Sequence, residues 1–371
     1  MKFDQIIVDS TSHALAHDNR CFDPAIEYTE FGYSIYVRLA REAARRSMTV
    51  VTADVYLRTP THNNRSAAIT EMVTENTERL LEAGVAPAIC LSLESPLNAP
   101  RFFHDIRRLA GRFHHNYQFR GTKDRLASTG TTFHPIVFPV ETSEPLSIRP
   151  WDTRRRLVLV NSNKRAGMQA ESGLRGAARA MLQSVRHKAW AMMDPWLRSP
   201  ELYRDRVEAI RHFSGDPDFA LYGRRWDRPI PGFDTEYSDA ATKAYAGEIQ
   251  PGVLHKRRVM AGFKFAICFE NCAFPGYITE KLFDCFLAGC VPVYLGAPDV
   301  TDFVPASTFI DYRALGSFAE LERYLRDMSE SEAGRYVSAA RDFLQSESLD
   351  RFTVDTLVQS MLDNIADMAA R

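Results

Sequence analysis

Two stretches of this 371-residue sequence place polar side chains where an apolar run stops. In the first, Phe263–Phe269 gives way to Glu270 and Asn271. Past the turn-forming Pro275-Gly276 come Tyr277, Thr279, Glu280 and Lys281. A lysine beside a helix N-terminus, with its free N–H groups and partial positive charge, suits a phosphate. Glu280 can accept from ribose or sugar hydroxyls. The same residues also fit a plainer role, an acid complementing the helix dipole and a solvated lysine. In the second stretch, the apolar run 86–93 leads into Glu94-Ser95-Pro96. A carboxylate at the carboxyl end of a strand lies at the ligand edge of an α/β sheet; an N-cap or a turn would use the same residues.

Other constellations carry less. Cys268, Cys272, Cys285 and Cys290 cluster, but without the paired knuckles of a zinc site. Three of them fall on buried strand and helix positions, where a free cysteine acts as a small hydrophobe, and a reducing compartment is favoured. Asp216-Pro217-Asp218 has a D-x-D form, yet it lies in a G-D-P-D turn before a strand and reads as turn chemistry. His114 and His115 have no metal-like spacing to a Cys or Asp.

The elements that must position these residues alternate in type. From 263 to 296 the chain reads strand, loop, helix, strand. Ile278, Leu282, Cys285 and Phe286 form the helix's apolar face, Gly289 stops it, and 291–295 is a second buried strand with Pro292 near its start. Upstream, strands are expected at 5–8, 48–52 and 55–56, and at 86–93. Helices are expected at 33–46 and 67–83, and a surface strand with solvated charges within 114–125. The proline-rich 133–150 reads as an interdomain linker. Beyond it come strands at 156–160, 219–222 and 308–311, and helices at 173–185, 200–213, 317–328, 332–345 and 352–370. An irregular surface segment spans 227–251. This rhythm implies parallel sheets with helices on their faces.

The length implies two domains, drawn at 1–145 and 146–371, with the last helix able to pack back on the first. A net charge of −1 gives no support for a nucleic-acid binder working through a global basic field. No run reaches the roughly 18–20 apolar residues of a membrane helix. The N-terminus reads as a strand and not as a signal peptide.

The motifs FKFAICFEN, YITEKLFDCFLAGCVPVYLGAP and DFVPASTFID, in this order, resemble the signature block of the α1,3/4-fucosyltransferases of glycosyltransferase family 10. The departure is Phe263, where the family more often has Tyr. LSLESPLNAP (91–100) resembles the family's N-L-E-S-P stretch, in which the glutamate is the candidate general base; the resemblance gives that role to Glu94. The run into Asn163 is similar to the family's V-S-N strand end. A diphosphate-binding arginine follows there, placed at Arg175 with Arg165 and Arg179 as rivals. FALYGRRW resembles D-x-Y-G-x-G-W and puts Tyr222 and Gly223 near a nucleotide. Tyr117 and Arg120 faintly match a further motif.

The resemblance implies a GT-B architecture, two Rossmann-like domains facing across a cleft. The first would bind the acceptor, with loops near 63–66 and 96–101, and the second GDP-β-L-fucose. Implied donor residues are Asn163, Arg175, Tyr222, Gly223, Glu270, Asn271, Tyr277, Thr279, Glu280 and Lys281. The implied reaction is inverting, metal-free transfer of L-fucose to a sugar hydroxyl, O3 of GlcNAc or Glc in a glycan, with no cofactor beyond the donor. The missing N-terminal anchor resembles the bacterial, cytoplasmic form, with a peripheral membrane association left open. Another nucleotide-sugar enzyme of GT-B type, or a non-catalytic nucleotide- or sugar-binding protein, remains an alternative.

Overall fold

The computed structural model describes residues 2–10, 17–25, 34–59, 65–141, 145–165, 168–169, 182, 185, 189–190, 192–197, 201–226, 235–250 and 253–370. They divide into two compact units. Unit 1 comprises Met1–Ser95, Arg101–Glu141 and Asp350–Arg371, and unit 2 comprises Pro96–Pro100 and Thr142–Leu349. No helix among the described residues is long and apolar enough to cross a membrane.

Unit 1 is built on six parallel strands: β1 (Gln5–Asp9), β2 (Thr49–Thr52), β3 (Ser66–Glu71), β4 (Ala86–Leu91), β5 (His115–Phe119) and β6 (Thr132–Ile136). They lie in the order β2-β1-β3-β4-β5-β6. Strand order reverses between β1 and β3, the point where open α/β sheets bind ligands at their carboxyl ends. Pro135 cannot donate to a ladder, and β6 is accordingly an edge strand. The helix Val354–Ala370 closes this unit. Its Asp355 pairs with Arg38 of the helix Ser34–Arg45 and its Asp363 with Arg46 just past that helix, and its Ser360 and Asn364 hydrogen-bond the Tyr117 hydroxyl (2.8 and 2.6 Å).

Four expectations for this unit are corrected. Residues 67–83, read as one helix, are β3 followed by the short helix Glu75–Glu82. Every residue of β3 is buried, so pairing on both sides overrides the helix preference of Ala67 and Ala68. Residues 55–56 lie in a helix, Ala53–Arg58. The segment at 114–125 is no surface strand, because β5 runs between β4 and β6 with Asn116, Tyr117 and Gln118 buried. Residues 132–136 of the expected linker are β6.

Unit 2 carries β7 (Arg155–Val160), the small antiparallel pair β8 (Lys164–Arg165) and β9 (Met168–Gln169), and β10 (Phe219–Tyr222). It continues with β11 (Tyr245–Gly247), β12 (Phe263–Phe269), β13 (Val291–Leu295) and β14 (Ile310–Asp311). Its parallel sheet runs β11-β10-β7-β12-β13-β14. The chain starts on a central strand, builds outward to one side, then returns to β12 on the other side of β7. This is the order of dinucleotide-binding doubly wound sheets, with the switch beside β7. The segment at 227–251 is not wholly irregular, since it contains the helix Thr235–Ala244 and β11. The helix Val253–Met260 leads into β12. Asp216 and Asp218 pair with Arg156, so the D-x-D carboxylates serve their own turn.

The strand–loop–helix–strand unit forms as its pattern predicts. β12 and β13 are buried and paired in register from Phe265–Val291 to Phe269–Leu295. Between them the helix Glu280–Ala288 buries Leu282 through Ala288 and ends at Gly289. That glycine's φ of 68° is one that side-chain-bearing residues rarely adopt.

Candidate active site

The carboxyl end of β12 ties to the start of the following helix through one buried carboxylate. Glu270 is 0% exposed. It accepts from the Thr279 backbone N–H (2.8 Å), from Thr279 Oγ1 (2.8 and 3.0 Å) and from Lys281 Nζ (3.0 Å). Lys281 also donates to Thr279 Oγ1 at 2.8 Å. Thr279 therefore gives its hydroxyl to the strand end and does not cap the helix with it. Backbone donors expected to face a phosphate are engaged here: Thr279 N–H on Glu270, Tyr277 N–H on Phe274 O and Ile278 N–H on Gly276 O. The N–H groups that the helix itself leaves without a carbonyl are those of its first turn, which begins at Glu280.

The charges around this turn alternate. Lys281 lies 3.0 Å from Glu270 and 3.8 Å from Glu280; Lys256 lies 3.7 Å from Glu280 and 2.7 Å from Asp284; Arg257 lies 3.0 Å from Asp284. Burial alone would lower the Lys281 pKa, but Glu270 and Glu280 outweigh it and hold it above the usual lysine value. Burial would likewise raise the Glu280 carboxyl. The Lys281 and Lys256 ammoniums outweigh that and bring it down to about 2, from 4.5. A depressed folded-state pKa favours folding above pH 4.5, and this contribution is lost as pH falls toward 2. Urea midpoints are expected to drop through that window, and Glu280→Gln to flatten the slope. Identical slopes in the two proteins would contradict the pairing.

Asn271 is held from both sides. Its Oδ1 accepts from Arg206 Nη2 (2.9 Å), which fixes the amide orientation, and its Nδ2 donates to the Tyr277 hydroxyl (3.2 Å). On the neighbouring strand, Asn163 follows β7 and donates through Nδ2 to Arg225 O (3.1 Å). Tyr222 ends β10, and Gly223 turns the chain beside Asn161. Gly223 has φ 136°, and a Cβ there would stand 2.0 Å from Asn161 O. Gly223→Ala is expected to lower stability by at least about 1–3 kcal/mol, read as a shift in thermal midpoint; an unchanged midpoint would refute the close approach.

Asn163, Tyr222, Gly223, Glu270, Asn271, Tyr277, Thr279, Glu280 and Lys281 all belong to unit 2 and stand at or beyond the carboxyl ends of β7, β10 and β12. Arg175, Arg179 and most of the helix expected at 173–185 lie outside the described residues, as does the side chain of Arg165. Glu94 belongs to unit 1. It is half-buried three residues past the end of β4, and its backbone carbonyl accepts from Ser92 Oγ (3.2 Å).

Four groups escape the sequence reading. Asp9 and Glu71 end β1 and β3 at the switch point of unit 1. Asp9 accepts from Thr74 and Thr77, and Glu71 accepts from Ser10 and Tyr36. Reading β3 as a strand would have placed Glu71 at a strand end. Lys256 and Arg206 sit on helices, and no sequence signal separates them from solvated positions. None of the six cysteines forms a disulfide, and all are buried.

Two parallel-sheet Rossmann-like units, with polar residues gathered at the strand carboxyl ends, have the fold of GT-B glycosyltransferases. Solved structures share this fold. Anabaena HepE in complex with UDP and glucose aligns with a TM-score of 0.52 at 11% identity, over 98% of this chain and 99% of that one. An α1,3-fucosyltransferase crystal structure aligns with a TM-score of 0.50 at 13% identity, over 98% and 90%. Residues 241–341 match the model described as glycosyltransferase family 10 (fucosyltransferase) C-term, and the motifs between 263 and 311 lie within the matched segment. Among curated proteins, the α-(1,4)-fucosyltransferase of Arabidopsis thaliana is 41% identical over 76 residues, 20% of this chain and 19% of that protein. The 4-galactosyl-N-acetylglucosaminide 3-α-L-fucosyltransferase 9 of Mus musculus is 41% identical over 70 residues, 18% and 20%. The chain thus matches about a fifth of the length of these relatives.

Proposed function

We propose that this protein is an inverting fucosyltransferase that moves L-fucose from GDP-β-L-fucose to a sugar hydroxyl, giving an α-fucoside. The observation that carries this reading is the Glu270–Thr279–Lys281 knot inside the segment that matches family 10, at the carboxyl end of a parallel sheet. In this scheme the acceptor oxygen attacks the anomeric carbon and its proton passes to Glu94. The bond to the β-phosphate of GDP breaks on the opposite face, which inverts the carbon. A positioned carboxylate assists such a proton transfer, and preorganised cations and N–H groups stabilise the charge developing on the leaving diphosphate. Lys281, the first turn of its helix and Arg175 take that second role. Glu280, Asn271, Tyr277, Asn163, Tyr222 and Gly223 orient the nucleotide and fucose. The scheme calls for no metal and no further cofactor.

The acceptor is proposed as O3 of GlcNAc or glucose in a glycan, a reading supported by the galactosyl-N-acetylglucosaminide in the mouse relative's name. Residues 1–145 are proposed to bind it, and a cytoplasmic, bacterial setting goes with this reading. Calorimetric titration with GDP-fucose, GDP-mannose and UDP-sugars tests the donor. Preference for GDP-fucose is expected, and preference for a UDP-sugar would overturn it.

A further inference from the structure

Among the charges near the candidate donor site, Arg206 stands apart. It lies on the helix Tyr203–Phe213 and is 3% exposed. Its Nη2 donates to Phe269 O (2.7 Å), the last carbonyl of β12, and to Asn271 Oδ1 (2.9 Å). Its guanidinium carbon lies 4.9 Å from the centre of the Tyr203 ring. Its Nε and Nη1 have no hydrogen-bond partner. No carboxylate among the described residues lies within ion-pair distance of it, whereas Lys281, Lys256 and Arg257 each have one.

A guanidinium taken out of water without a carboxylate is costly, and burial pulls its pKa down. It nevertheless stays charged, because arginine starts so far above neutral pH. The uncompensated charge therefore persists, behind Asn271 and close enough to Lys281 and Glu270 to act on both electrostatically. The paired cations of the network are largely neutralised by their own carboxylates. Arg206 supplies the positive potential that those pairs cancel.

We propose that Arg206 is a positioning residue for an anionic ligand at this strand end. It fixes the Asn271 amide and, without touching the ligand, provides the unneutralised charge that favours a nucleoside diphosphate over an uncharged nucleoside. This rests on the GDP-fucose reading above. Fields in a low-dielectric interior reach further than in water, so a buried charge can act at this remove.

Two variants separate charge from packing. Arg206→Gln keeps an N–H donor for Phe269 O and Asn271 Oδ1 but removes the charge; Arg206→Lys keeps the charge. Binding of GDP and of guanosine is measured calorimetrically on each, after circular dichroism has confirmed the fold. Arg206→Gln is expected to weaken GDP by about tenfold, the scale of one partly screened charge, with guanosine unchanged. Arg206→Lys is expected to hold GDP within about threefold. If GDP and guanosine weaken by the same factor in Arg206→Gln, or neither weakens, the inference is overturned. A wild-type protein that does not bind GDP would instead refute the donor reading itself.

Discussion

Replacing Glu94 by Gln is expected to lower the rate of fucose transfer by about 10²–10⁴-fold while leaving GDP affinity unchanged. The amide keeps the size of the side chain and loses its capacity to take a proton. Glu94 is half-buried beyond a strand end whose residues Ile89, Cys90 and Leu91 are fully buried, so the backbone that carries it is anchored. Unit 1 contains Glu94 and unit 2 contains the residues proposed to bind the donor, so kcat should fall while direct GDP binding by the folded variant stays constant. A Glu94→Gln enzyme with wild-type turnover would remove the base from this account.

The second large effect concerns Lys281. Lys281→Met should lower stability by about 3–5 kcal/mol, because it leaves a buried carboxylate without its counter-ion. Glu270 is fully buried and Lys281 is 16% exposed, so water cannot readily replace the ammonium. Thr279 would still donate to Glu270, but through a neutral hydroxyl and one N–H. The double variant Glu270→Gln, Lys281→Met should recover most of the loss, since neutralising both partners removes the orphaned charge. Urea unfolding of the single and double variants measures this. A single-variant loss below about 1 kcal/mol, typical of an exposed pair, would show that Lys281 does not balance Glu270. GDP affinity should fall in both variants, because both lack the ammonium.

The elements legible in the sequence were those whose pattern is local. Phe263–Phe269 and Val291–Leu295 have the bounds expected of them, because long apolar, β-prone runs bounded by turn residues admit few alternatives. Gly289 marked its helix end for a backbone reason that a single residue type satisfies. Strand β3 was not legible, and β5 was read as a strand of the surface and not of the sheet interior. Ser66-Ala67-Ala68 carries no β-branched signal, and β5 buries Asn116 and Gln118, whose polarity suggests a surface. Asn116 is reconciled with burial by its bonds to Ala110 O and Thr131, partners that exist once the fold is made.

The site shows the same division. Types and spacing located Glu270, Thr279 and Lys281 at a strand end and helix start. They did not reveal that the three bind one another, nor that Lys256 and Arg206 complete the charge pattern from distant helices. Those contacts depend on which helix faces pack inward, and Arg206 shares its helix with solvated arginines of the same type.

The central claim is the reaction itself. It is tested most directly by incubating the protein with GDP-fucose and a panel of GlcNAc- and glucose-containing acceptors, followed by mass and linkage analysis of the products. The account predicts one added deoxyhexose per acceptor site, α-linked, with release of GDP and no transfer from UDP-sugars. Transfer from a UDP-sugar, or a β-linked fucoside, would contradict it.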